Sequence, residues 1–159
     1  MGTIELELDR QRAPITVDNF VNYVDAGFFD GLCFHRVIKG FMIQGGGFAT
    51  DGTNKETGNP IKIESRNGLK NKVGTIAMAR TSDPNSATSQ FFINTVDNGN
   101  LDYPSFDGHG YTVFGKVVSG MDVVKEIEDL ATGTKLTPYG PMRDWPNETV
   151  EITKAYLKK

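Results

Sequence analysis

From Cys33 onward the apolar residues of this chain come only in short pieces closed off by Gly, Pro, Asn or Asp, namely Phe34 to Ile38, Phe41 to Gln44, Thr75 to Met78, Gln90 to Asn94 and Thr112 to Val118. Runs this short, rich in β-branched and aromatic residues, predict strands, and many short strands predict a sandwich or barrel. Thr3 to Leu8 adds one more, alternating Ile4, Leu6 and Leu8 against Thr3, Glu5 and Glu7 with the period of a strand wet on one face. Two helices interrupt the pattern. Val17, Phe20, Val21 and Val24 form an i, i+3, i+4, i+7 stripe, with Thr16 as the expected N-cap and Gly27 as the C-terminal stop, and Met121, Val124, Lys125 and Ile127 follow Gly120 as a second, shorter helix. Ala131 to Asn147 reads as loop and Val150 to Leu157 as a last strand.

At 159 residues, with no internal repeat, the chain is expected to be one domain spanning 1–159. The balance of 17 Lys and Arg against 20 Asp and Glu leaves a net charge of -3, so no broad basic field exists to attract nucleic acid or an anionic membrane, and neither is expected as a partner. No run approaches the length of a membrane span, and no basic segment followed by an apolar stretch opens the chain. The single cysteine, Cys33, rules out an intrachain disulfide; a cytoplasmic, monomeric protein is expected. Three long polar loops, 50–60, 80–89 and 98–110, predict a site built from loop edges.

Several familiar constellations fail. Gly110 to Val117 matches the spacing of a phosphate-binding loop but puts Val where a hydroxyl must hold magnesium, and its β-branched filling reads as a strand. Cys33 and His35 share one strand face, yet a zinc site needs three or four ligands and the only other histidine is His109. His35 is expected as a half-buried strand residue with a satisfied ring, and His109 as a solvated loop residue. No nucleophile elbow is present, and Gly45 to Gly47 reads as a turn where backbones approach closely.

One constellation holds. Phe34 to Phe48 carries two β segments joined through Gly40, and if Arg36, Met42 and Gln44 emerge on one face, a guanidinium and an amide frame an apolar floor. That stretch resembles the active-site segment of the cyclophilin-type peptidyl-prolyl isomerases. The resemblance continues in Gly74 to Arg80, Ser86 to Asn94 and Val113 to Val118, in order, and the triple glycine is closest in style to bacterial and archaeal single-domain members. It implies a mainly β fold, a closed antiparallel eight-stranded barrel capped by two helices, with the groove on its outer surface. It also implies a cofactor-free, metal-free isomerase acting on X-Pro bonds of proline-containing peptides and unfolded proteins. By position, Arg36 is the catalytic arginine, with Phe41 and Gln44 beside it. Phe41, Met42, Phe92 and Leu101 line the proline pocket, Gln44, Ala79, Arg80 and Gln90 contact the peptide backbone, and Tyr111 stands where many members have His. For Phe41, Met42, Phe92 and Leu101, alternation alone does not separate an outer groove from the barrel interior. Arg36 taken by itself would read as a surface strand arginine.

Three departures from the family pattern carry expectations of their own. Asn100 replaces the aromatic residue commonly found before Leu101, so weak cyclosporin binding is expected, and a non-catalytic proline-peptide binding module or chaperone is the alternative reading. Tyr111 keeps a hydrogen-bonding aromatic. Only Met1 and Gly2 precede the segment resembling the family's second strand, so its first strand is either dispensed with or lost with an upstream segment, in which case export to the periplasm replaces the cytoplasmic expectation.

Overall fold

The structure is a computed structural model describing residues 1–159. In chain order it comprises β1 (Glu5–Leu8), α1 (Pro14–Asp25), β2 (Leu32–Ile38), β3 (Met42–Ala49), β4 (Thr75–Met78), β5 (Phe91–Asn94), β6 (Val113–Ser119), α2 (Met121–Glu128), β7 (Thr132–Thr137) and β8 (Gly140–Pro146), with one tight helical turn at Gly99–Leu101. The chain is mainly β with two helices, as the short apolar runs predict. Six strands form one antiparallel sheet in the order β1-β6-β4-β5-β3-β2, and β7 and β8 pair only with each other.

The expected closed eight-stranded barrel is therefore not the hydrogen-bonded arrangement. One end of the sheet is β1, which pairs with β6 alone, and the other is β2, whose outer side takes a single bridge from Cys33 to Glu151. The last strand expected over Val150 to Leu157 shrinks to that bridge. Phe34 N–H donates to Val150 O at 3.0 Å and Ile152 N–H to Leu32 O at 2.7 Å, after which Ala155 N–H turns to the Asp30 carboxylate. The loop expected over Ala131 to Asn147 is instead the β7–β8 hairpin, with Leu136 opposite Pro141 and Gly133 opposite Trp145. Sequence pattern hides it because Leu136 is exposed and only Trp145 and Pro146 are buried. Its turn is set locally, the Thr137 hydroxyl donating to Gly140 O and accepting from Tyr139 N–H.

Helix α1 starts at Pro14, not after Thr16, and Ala13 at its N-cap supplies no side-chain bond. The N–H groups left open at a helix start are satisfied from elsewhere. Glu64 accepts Ile15 N–H at 3.3 Å and both the backbone N–H and hydroxyl of Thr16 at 2.7 Å. Its apolar stripe, Val17, Phe20 and Val24, joins Val123, Val124 and Ile127 of α2 in one core against Val37, Ile43, Ile76 and Ile93 of the sheet. Phe20 sits with the rings of Phe29, Phe91 and Phe114 at 5.1, 5.6 and 5.2 Å, each buried Phe contributing about 1.5–3 kcal/mol of transfer free energy.

Candidate active site

Strand register sorts the side chains into two faces, since directly opposed residues point the same way. Val37, Ile43, Ile93 and Ile76 face one another across β2, β3, β5 and β4, and all belong to the main core. On the other face a second row runs Arg36, Gln44, Phe92, Ala77, Val113, with Met42 opposite Ile38 one step along. Met42, Ala77, Phe92, Leu101 and Val113 form a separate apolar cluster, with Phe41, Ala79 and Tyr111 packed against it. Register thus separates this cluster from the main core. Phe41, Met42, Phe92 and Leu101 sit together on the face opposite the main core, Met42, Phe92 and Leu101 being 2%, 5% and 6% exposed.

Arg36 reaches that face because β2 carries a bulge. Phe34 and Val37 both enter the main core, although residues three apart in a regular strand point to opposite faces. The register slips between Phe34 and Arg36, so His35 and Arg36 occupy the space of one residue of β3. The facing stretch, Gly45 to Gly47, lies inside β3 rather than in the turn expected from its glycines. The close approach expected there does occur. A Cβ at Gly45 would lie 2.8 Å from Cys33 O, one at Gly46 2.9 Å from Ser89 O, and one at Gly47 2.6 Å from Gln90, and Gly46 has φ +91.

A polar chain frames the apolar floor. Arg36 Nη1 donates to Gln44 Oε1 at 3.1 Å, and Gln44 Nε2 donates to Gln90 Oε1 at 2.9 Å. No carboxylate pairs with Arg36, so a half-buried guanidinium with five N–H donors keeps its charge and most of its donors for another acceptor. Arg80 is different. Its side chain, 2% exposed, pairs with Asp107 at 2.7 Å, donates to Gly110 O at 3.1 Å and lies 4.3 Å over the Tyr111 ring. That pairing holds the Asp107 carboxyl down to about 2. The Arg80 side chain is thus spent inside the fold, where the sequence reading expected it to contact the peptide. Tyr111 in turn stands edge-on to Phe92 with ring centroids 5.9 Å apart, while Ala79 N–H donates to Gln90 O at 3.0 Å.

Beneath the site lies a buried amide network that sequence reading missed. Asn98 Nδ2 donates to Phe41 O at 2.9 Å and to Asn94 Oδ1 at 2.8 Å, Asn94 Nδ2 donates to Asn71 Oδ1 at 3.0 Å, and Asn71 Nδ2 donates to Asp102 Oδ1 at 3.0 Å. Glu128 of α2 accepts Gly40 N–H at 2.9 Å. Phe41 and the turn carrying Leu101 are therefore held from behind. Asn94, a polar residue closing the apolar strand Phe91–Asn94, is the one signal that could have exposed the network. His35 also departs from expectation. It is buried at 2% exposure beside Phe48 and Trp145, with Nδ1 unpartnered, and burial together with the Arg36 charge pushes its pKa down to about 4. Cys33 in the same cluster donates to Phe48 O at 3.3 Å, and burial pushes its thiol up to about 11. His109 is exposed, as expected.

The mainly β sheet, with an apolar cluster and an arginine without an ion pair on one face, is the fold of a family that comparison with known proteins identifies. The cyclophilin type peptidyl-prolyl cis-trans isomerase/CLD family matches residues 1–157. Peptidyl-prolyl cis-trans isomerase B of Escherichia coli (strain K12) is 52% identical over 160 residues, covering 99% of this chain and 95% of that protein. Peptidyl-prolyl cis-trans isomerase A of Dickeya dadantii (strain 3937) is 52% identical over 158 residues, covering 99% and 80%. The crystal structure of a Cryptosporidium parvum cyclophilin type peptidyl-prolyl cis-trans isomerase in the presence of the dipeptide Ala-Pro superposes with a TM-score of 0.82 at 26% identity, covering 99% of this chain and 94% of that one. The chain belongs to the cyclophilin-type peptidyl-prolyl cis-trans isomerases, a family of enzymes.

Proposed function

We propose that this protein catalyses rotation about X-Pro peptide bonds, with proline rings seated among Phe41, Met42, Phe92 and Leu101 and with Arg36 as the catalytic group. The observation that carries this is the single row Arg36–Gln44–Phe92, in which a guanidinium without an ion pair, bonded to Gln44, shares one face with the apolar cluster. Support for a proline-containing substrate comes from the Cryptosporidium structure, which was determined in the presence of Ala-Pro.

The chemical task is kinetic. Cis and trans X-Pro forms differ by only about 0.5–1 kcal/mol, but rotation crosses about 18–20 kcal/mol because the planar amide surrenders its resonance. Raising a turnover of about once per hundred seconds to about a thousand per second requires roughly 7 kcal/mol at about 1.4 kcal/mol per decade. In the twisted amide the prolyl nitrogen regains a localised lone pair, and Arg36 donates to it there but not in the planar ground state. That difference is what accelerates the rotation. A hydrogen bond to a charged group contributes about 1.5–3 kcal/mol, so the apolar clamp and the Gln44 and Gln90 backbone contacts supply the remainder. Asn100, exposed beside Leu101, leaves that side of the pocket without an aromatic wall, which goes with weak cyclosporin binding.

Magnetisation-transfer measurement of cis/trans exchange in a short X-Pro peptide tests the proposal. Exchange is expected to rise in proportion to catalytic amounts of protein. Peptide binding with no acceleration would instead identify a binding module.

A further inference from the structure

Behind the loop that walls the groove is an open cleft of about 590 Å³, lined by Arg12, Glu64, Ser65, Arg66, Tyr103 and His109 among others. In a chain of net charge -3 its electrostatics are unusual. Neither Arg12 nor Arg66 belongs to any ion pair. Arg66 lies 5.0 Å over the Tyr103 ring, which steadies its planar head without neutralising it. Of the carboxylates nearby only Asp107 is neutralised, by Arg80; Glu64, Asp102 and Asp9 keep their charge but direct oxygens to the start of α1, to Asn71 and to the backbone N–H of Arg12, not to either guanidinium.

The cleft and the groove share their dividing wall. Leu101 lines the groove and Tyr103 the cleft, while Tyr111 packs on Phe92 and His109 lines the cleft. Each pair is two residues apart, so their Cα atoms lie within about 7 Å. Asn67 Nδ2 donates to Val113 O at 3.0 Å, tying the cleft floor to the last residue of the groove row. A peptide with its proline in the groove thus needs only two or three further residues, at about 3.3–3.6 Å each, to reach the cleft.

We infer that the Arg12–Arg66 cleft is a second substrate subsite, one that selects an acidic side chain two or three residues from the proline. The inference rests on the isomerase reading above and deepens it to a substrate class, X-Pro segments with an Asp or Glu nearby. Two exposed guanidinium groups favour such a chain by about fivefold at low ionic strength.

Three peptides that differ only in carrying Glu, Ala or Lys at those positions, prepared for each side of the proline, test this. Both exchange kcat/KM and peptide affinity by NMR titration are measured. On one side of the proline the order is expected to be Glu, then Ala, then Lys, with the spread collapsing in about 0.5 M salt, where the Debye length is only a few ångströms. In Arg12→Ala/Arg66→Ala the Glu-to-Ala ratio should fall to about one, and Arg66→Glu should favour the Lys peptide, each variant first being shown to melt cooperatively. Equal rates and affinities across the peptides on both sides overturn the subsite while leaving the isomerase standing. An affinity order of Glu over Ala over Lys without any accelerated exchange keeps the subsite and overturns the isomerase.

Discussion

Two arginines show how far a residue's role depends on what folds against it. Arg36 is half-buried, carries no ion pair and is held by one amide, whereas Arg80 is enclosed and neutralised by Asp107. Removing Arg80 leaves Asp107 Oδ2 and the Gly110 carbonyl without their side-chain donor, so Arg80→Ala should lower unfolding free energy by about 2–3 kcal/mol. Arg36→Ala should change it by less than about 0.5 kcal/mol. Urea denaturation of both variants checks this, and comparable losses would mean that Arg36 is also a structural residue. In the sequence neither arginine declares its role, Arg36 standing inside a short apolar run and Arg80 just after one. Resemblance to the family marked Arg36, but no local pattern pairs Arg80 with a carboxylate 27 residues away.

At the scale of elements, β3 is approached closely from both sides, at Gly45 by β2 next to its bulge and at Gly46 and Gly47 by Ser89 and Gln90. His35 and Arg36 share the room of a single β3 residue, and Gly46, with φ +91, lets β3 pass 2.9 Å from where its Cβ would meet Ser89 O. Gly46→Ala forces a side chain into an unfavourable backbone conformation against fixed backbone, so a loss of about 2–3 kcal/mol is expected, with catalysis falling as Arg36 is re-aimed. Thermal melting beside the exchange assay checks it; a variant as stable and active as the parent would contradict the close backbone approach at Gly46 as a constraint on β3. The glycines were legible as close backbone approach, but their reading as a turn failed because three glycines break the apolar alternation by which a strand is recognised. The β7–β8 hairpin escaped for a related reason, its outer face offering Thr, Leu136 and Pro141 to solvent instead of alternating. Strands β4, β5 and β6 were readable to within a residue because both of their faces are buried where they cross, one in the main core and one in the groove.

Across the whole molecule, the main core is distinct from two smaller apolar clusters, one of Met42, Ala77, Phe92, Leu101 and Val113 and one of Cys33, Phe48 and Trp145. The two helices and the class of fold were legible; closure was not, since pairing between distant strands depends on register that sequence alone does not set. His35 joins β2 to Phe48 of β3 and Trp145 of β8, so its protonation is felt by the fold as a unit. The folded protein keeps the ring neutral down to about pH 4, while the unfolded chain binds a proton near the ordinary 6.5. This stabilisation is whole above about pH 6.5 and is lost as pH falls towards 4, a decline of about 3 kcal/mol at about 1.4 kcal/mol per unit. Urea midpoints between pH 7 and pH 4 should show that decline in the parent and a shallower one in His35→Phe; parallel curves would remove His35 as the cause. In the proposed function the two-sided sheet holds the Arg36 guanidinium on the face where proline would be seated, and Arg36→Lys, which keeps the charge but not the planar fork, probes that proposal directly. Measured on one X-Pro peptide, its kcat should fall at least about tenfold while peptide Kd stays within about twofold. Unchanged kcat, or a loss confined to Kd, would contradict stabilisation of the twisted amide by Arg36.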